Sequence, residues 1–189
     1  MSTRAFFLIA SAATQISACA PLGELRPASG MMPGRSMEMG SGVVHVSPRQ
    51  WVEEPPSNTG MLWYSADATK VVNLSVVSAF DTNALALGAA IRFNVLRFDR
   101  FAAGTELQVG YAWAALVFPL ATRLFDQTWI YASPRFGTIG RDLSFGAPVG
   151  LSVRLWDGLS ARGEVQTSWQ DFKYYNRRIH SALGVAYQW

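Results

Sequence analysis

At 189 residues the chain has room for one ordinary domain, half of it apolar and only 15% of it charged, against roughly 25% in soluble domains. Its net charge of +3 is carried by fourteen Arg and two Lys, Lys70 and Lys173, with no basic run and no basic and aromatic alternation of the kind that tracks a nucleic-acid backbone. The composition argues against nucleic acid as a partner, a single cysteine rules out an intramolecular disulfide, and so few lysines cannot guard a water-exposed sheet.

Arg4 precedes the apolar run Ala5 to Ala13, too short to span a bilayer as a helix and of the length of a signal-peptide core. The following stretch "ISACAP", Ile16 to Pro21, contains Cys19. It resembles the lipobox of bacterial lipoproteins, which implies cleavage after residue 18 and a lipid on Cys19. The alternative is an ordinary signal with an incidental cysteine, although an Ala-x-Ala cut after Ala20 would meet Pro21. Residues 19–36, rich in Pro, Gly and Ser without a period, read as a flexible tether.

From residue 37 the pattern is one of alternating segments divided by turn clusters, with no helical period of any length. Counting them predicts eight strands: 37–46, 61–79, 84–96, 101–117, 125–135, 143–156, 158–169 and 179–189. The second contains "SADATK", read as a bulge or loop. Long or charged connections fall near 47–60, 97–100, 136–142 and 170–178, and tighter ones near 80–83, 118–124 and 157–158. A hairpin centred near Asp99 sets Arg92 opposite Glu106, a favourable cross-strand pair, and Asp157-Gly158 supplies the tight turn of another. The expected fold is all-β: an eight-stranded antiparallel up-and-down transmembrane barrel, residues 37–189, with short periplasmic turns and longer outer loops.

Alternation does not say which face meets water. The polar face carries chiefly Arg92, Glu106, Arg154, Arg162 and Glu164 with small residues between, too little charge for a solvated coat and suited to a narrow lumen where charges pair. Aromatics at the strand ends suggest two membrane-interface girdles, formed by Trp113, Trp129, Tyr131, Trp156, Trp169, Tyr187 and Trp189, with Trp63, Tyr64 and Tyr111 at similar places. The chain finishes on "GVAYQW", an alternating strand with a terminal Trp. Residues 84–189, and less clearly the stretch from 37, resemble the small outer-membrane barrels of the OmpA and OmpX type, notably in "GLSVRLWDGLSARGEVQTSW" followed by this last strand. The resemblance implies localisation in the cell outer membrane, contact with membrane lipid and lipopolysaccharide, and recognition of the C-terminal strand by the barrel-assembly machinery.

Some small barrels of this kind modify lipid A, which takes a nucleophile with a base beside it. A nucleophile must share a face with its base; adjacent His180 and Ser181 point to opposite faces, and His45 with Ser47 lies near the first loop without a clear carboxylate. Asp171, Tyr174 and Tyr175 are scattered loop residues. Two His, one Cys and the loop acids Asp99, Asp142 and Asp171 make no metal-ligand cluster. No cofactor or metal is expected, and the expected role is non-enzymatic: a structural or interaction component of a Gram-negative envelope. The loops "VSPRQWVEEPPSNTG" and "QDFKYYNRR" would face envelope proteins, since aromatic and Arg side chains are favoured contacts. The alternatives are a lipid A-modifying barrel enzyme and a soluble periplasmic lipoprotein binding an apolar ligand.

Overall fold

A computed structural model describes residues 25–26, 35–48, 55–80, 85–111, 113–170 and 177–189. The signal peptide 1–18, Cys19 and most of the tether lie outside the described residues, as do Asp171, Lys173, Tyr174 and Tyr175. Twelve strands occur among those described: β1 (Met37–Val46), β2 (Ser57–Asp67), β3 (Val72–Phe80), β4 (Leu85–Arg97), β5 (Phe101–Gly110), β6 (Trp113–Val117), β7 (Leu120–Phe125), β8 (Thr128–Ala132), β9 (Arg135–Ile139), β10 (Asp142–Arg154), β11 (Leu159–Gln170) and β12 (Arg178–Gln188). No helix among the described residues is long and apolar enough to cross a membrane.

All pairings are antiparallel, and β1 pairs with both β2 and β12, so the sheet closes on itself in the ring β12-β1-β2-β3-β4-β5-β6-β9-β10-β11. Ten strands therefore form the barrel. The remaining two, β7 and β8, carry β6 and β9 onward: β7 pairs with β5, β8 with β10, and β7 with β8. Each join holds a proline, Pro119 or Pro134, which has no N–H to give the ladder. Their carbonyls still accept, from Gly104 N and Phe118 N, each at 2.9 Å.

The expected count of eight is corrected to ten. The segment 61–79 is two strands, because residues 68–71 form a turn in which Thr69 Oγ1 accepts from the backbone N–H of Val71 and Val72. The segment 101–117 reverses between Gly110 and Trp113, which pair directly, and 125–135 begins in the turn after Phe125. Turns of two residues interrupt so little sequence that alternation alone runs through them.

The ends also differ from expectation. The connection 98–100 lies at the same end as 68–71, 126–127, 155–158 and both β1's start and β12's finish, where Trp189 O accepts from Ser36 N and Met37 N. β3 finishes and β4 begins at the opposite end, and 118–124 is wall, not turn. Gly158, at φ 80°, adopts at the tight turn a conformation open to glycine, and any Cβ there would lie 2.6 Å from Gln188 O.

Alternation decides the two surfaces. Along β1, Glu38, Gly40, Val44 and Val46 point inward while Met39 and Val43 are exposed; along β11, Ser160, Arg162, Glu164 and Gln166 are buried while Val165 is exposed. The exposed face is an apolar band around the wall, including Leu62, Leu74, Leu87, Leu107, Val149 and Leu183. In water so large a patch would be a liability; against lipid it is the favourable surface.

Candidate functional site in the barrel interior

Inward alternation on each strand delivers polar side chains to a space where unpaired charge is costly, and the described interior resolves that cost by pairing. Glu38 on β1 accepts from Arg162 Nη1 at 2.8 Å and Nη2 at 2.5 Å, from Trp63 Nε1 at 2.8 Å and from Gln188 Nε2 at 2.6 Å. Arg162 also stands 5.8 Å above the Trp63 ring centroid. On the far wall, Arg92 is directly opposite Glu106, the register that a hairpin centred near Asp99 predicts, and Arg92 Nε donates to Glu106 Oε2 at 2.6 Å. Gln108 Nε2 donates to Oε1 of the same carboxylate at 2.8 Å.

Two residues of the expected tether join these clusters. Leu25 and Arg26, within the stretch read as a flexible tether, are buried inside the barrel. Leu25 N–H donates to Glu164 Oε2 at 3.1 Å, and its carbonyl accepts from Arg162 Nη1 at 2.6 Å. Arg26 Nη2 donates to Glu106 Oε1, and Arg26 O accepts from Arg92 Nη2 at 3.2 Å. The Tyr131 hydroxyl also donates to Glu164 Oε2, at 3.2 Å. Sequence reasoning missed this link because residues 25 and 26 carry no periodic pattern; it missed Glu38 because its ion partner, Arg162, lies on β11 rather than within its own hairpin.

Of the five expected lumen residues, Arg92, Glu106, Arg162 and Glu164 lie together in this interior, each 5% exposed or less. Arg154 does not: it is exposed beside the turn at the terminal end, although it shares the parity of buried Ser152. It has simply run past the mouth of the lumen.

The aromatic set divides. Trp113 packs on the interior apolar cluster over Gly88 and Gly110, Tyr131 is buried with its hydroxyl on Glu164, and Trp129 packs against Tyr131, Ala102 and Ala121. These three turn inward, with Trp63, and are not interface residues. The cause is parity: Gly110 pairs directly with Trp113, which sets the returning strand's Trp113 on the same face as Gly110, so the residue expected outward comes back inside. Outward aromatics do gather at two levels. Trp189 lies 6.0 Å from Tyr187 and 6.3 Å from Tyr64 at the terminal end, where exposed Trp156 stands on the 155–158 turn; Trp169 stacks at 5.3 Å on Phe145, itself 4.8 Å from Phe136, toward the other end.

The candidate catalytic residues separate in the same way. His45 is exposed, with Nδ1 2.9 Å from Asn58 Oδ1. His180 is inward and Ser181 outward, yet His180 Nε2 lies 2.7 Å from Ser168 Oγ on the neighbouring strand, a pairing no linear motif announces. Arg135 Nη2 bonds Gln166 Oε1 at 2.9 Å one step along the same wall. Among the described residues no three His, Cys, Asp or Glu gather as a metal site.

No protein-family model matches the chain, and no curated protein sequence matches it. Solved structures share its fold. The NanC porin aligns with a TM-score of 0.54 at 7% identity over 82% of this chain and 100% of its own. The translocator domain of the autotransporter NalP from Neisseria meningitidis gives 0.53 at 10% identity over 82% and 89%. An outer-membrane channel from Pseudomonas putida F1 gives 0.53 at 11% over 88% and 100%. The shared architecture is the closed antiparallel barrel of outer-membrane proteins, and with the apolar band of this wall it places the chain in the outer membrane.

Proposed function

We propose that this chain is a sealed, non-enzymatic outer-membrane barrel that serves as a structural or interaction component of the envelope. The observation that supports the reading best is the occupied interior: Glu38 is tied to the guanidinium of Arg162 and Glu106 to those of Arg92 and Arg26, and Leu25 with Arg26 fills the space between them. A lumen filled by side chains is a rigid mount rather than a passage. Interaction then falls to the end where β1 and β11 finish and β2 and β12 begin, and to membrane lipid and lipopolysaccharide around it. In this reading Cys19 carries a lipid anchor, the last strand is the signal for the barrel-assembly machinery, and kinship to the OmpA and OmpX type is one of role and compactness rather than of strand number.

One contact favours a second reading. Ser168 Oγ beside His180 Nε2 has the spacing of a nucleophile and its base, as a lipid A-modifying barrel would need. It faces the lumen rather than lipid, which favours the first reading. The test is twofold: the purified protein in planar bilayers leaves the membrane non-conducting, and lipid A from cells with and without the protein has the same mass spectrum. Steady conductance by the wild-type chain overturns the sealed barrel, and a lipid A mass shift abolished by Ser168→Ala establishes the enzyme instead.

A further inference from the structure

We infer that the barrel wall carries a recognition site for an apolar residue followed by arginine, that the chain fills this site with its own Leu25 and Arg26, and that the bound dipeptide closes an ion path along β11. The inference rests on the sealed-barrel reading and says what the seal is.

The site has the construction of a peptide-binding cradle. Three main-chain groups of two consecutive residues are held by charged wall side chains: Leu25 N–H by Glu164 at 3.1 Å, Leu25 C=O by Arg162 at 2.6 Å and Arg26 C=O by Arg92 at 3.2 Å. Charge-assisted bonds of this kind are the strong ones, and they recognise backbone of any sequence. Two subsites then read side chains. Gly42 on β1 and Gly184 on β12 are directly paired, and a Cβ on either would meet Leu25 Cδ1 at 2.5 or 2.9 Å. The glycine pair is thus a depression shaped to an apolar side chain. Glu106, braced by Arg92 and Gln108, receives the Arg26 guanidinium.

The dipeptide spans the lumen. Leu25 touches β11, β12 and β1, while Arg26 touches β4 and β5; on a ring of ten, β12 and β5 are five places apart, so the two anchors are diametrically opposed. Leu25 holds φ at 43°, a left-handed conformation that a leucine keeps only where its surroundings hold it.

What the dipeptide obstructs is a polar track. Along β11 the inward residues are Ser160, Arg162, Glu164, Gln166 and Ser168, a polar series over the length of the strand, continued by His180 on Ser168. The larger apolar side chains of the interior cluster, Val44, Val46, Met61, Trp63 and Val77, lie on β1 to β3 instead, and only the small Ala182 and Ala186 of that cluster stand on β12 beside the track. Leu25 binds Arg162 and Glu164, at the middle of the track. Gln166 Nε2 and His180 Nδ1, buried along it, have no partner among the described residues, so the track offers polar groups to a small ion once its centre is released.

The experiment records single channels from the full-length protein in planar bilayers with potassium chloride. Wild type is closed. The double variant Leu25→Gly with Arg26→Ala conducts, and the synthetic peptide LGELRPASG, residues 22–30, blocks it, whereas the same peptide with Glu in place of Arg26 does not. Glu106→Gln, which leaves the dipeptide intact, raises open probability about tenfold or more, as loss of a hydrogen bond to a charged group predicts. Folding of each variant is checked by its heat-modifiable gel shift. Folded variants as closed as wild type overturn the inference and leave the sealed barrel standing; a conducting double variant blocked equally by both peptides, or by neither, overturns the recognition site. A wild type that conducts like the double variant overturns the sealed-barrel reading itself.

Discussion

Glu38 and Arg162 meet in a two-pronged ion pair across 124 residues of sequence, reaching past β12, which lies between their strands. The pair ties the first strand to the eleventh over the seam where the barrel closes. Removing one member leaves a buried charge alone, a loss of about 3–5 kcal/mol in comparable sites, while replacing both with apolar residues of similar volume is far milder. Glu38→Ala is expected to lower the urea midpoint of the lipid-reconstituted barrel sharply, and the double variant Glu38→Met with Arg162→Met to recover most of it. Equal losses for single and double variants would contradict the pairing.

Gly40 governs the same cluster sterically. A Cβ at this position would lie 2.0 Å from the Trp63 ring, whose Nε1 donates to Glu38. Gly40→Ala therefore has to displace the indole and break that hydrogen bond, costing about 1–3 kcal/mol for the overpacking alone. The readout is a red shift of Trp63 emission in a chain with its other tryptophans replaced by Phe, together with a lower unfolding midpoint.

The outer wall predicts a dependence on depth. Leu183, at the middle of β12, is 73% exposed, and Ile179 near the end of the same strand faces the same way. Arg in place of an outward residue costs about 2–4 kcal/mol at the bilayer midplane and about 0–1 near the interfaces. Leu183→Arg is expected to reduce the folded fraction in thin-lipid vesicles far more than Ile179→Arg. Similar effects at both positions would mean that this face does not meet lipid.

Inward and outward tryptophans are separable by quenching. Trp63 and Trp113 lie inside the barrel, whereas Trp169 and Trp189 stand outside. Single-tryptophan chains retaining Trp169 or Trp189 are expected to lose fluorescence in vesicles of brominated lipid, and those retaining Trp63 or Trp113 to keep it. Strong quenching of Trp113 would place it back on the lipid face.

How much of this is legible in the sequence depends on the range of each interaction. The opposition of Arg92 and Glu106 follows from one hairpin, because a short turn and a period of two are local properties. The strand count is harder: turns such as 126–127 leave alternation almost unbroken, so two strands read as one. Trp113 and Tyr131 are misplaced for the same reason, since an unrecognised turn inverts every later inward and outward assignment until the next. The partnership of His180 with Ser168 depends on how β11 and β12 pair, and Arg154 shows that a correct face still leaves depth undecided.

By itself the sequence determined that this chain alternates rather than coils, that its apolar side chains outnumber its charges, and that its few acids and arginines share a face; these follow from the two-residue repeat of an extended chain. The tertiary structure decided what no local repeat contains. Closure of β1 on β12 made the polar face an interior, and burial there made each charge seek a partner from a distant strand. The same closed interior drew Leu25 and Arg26 between opposite walls, because only an enclosed ring of charges supplies partners for a main chain on both sides at once.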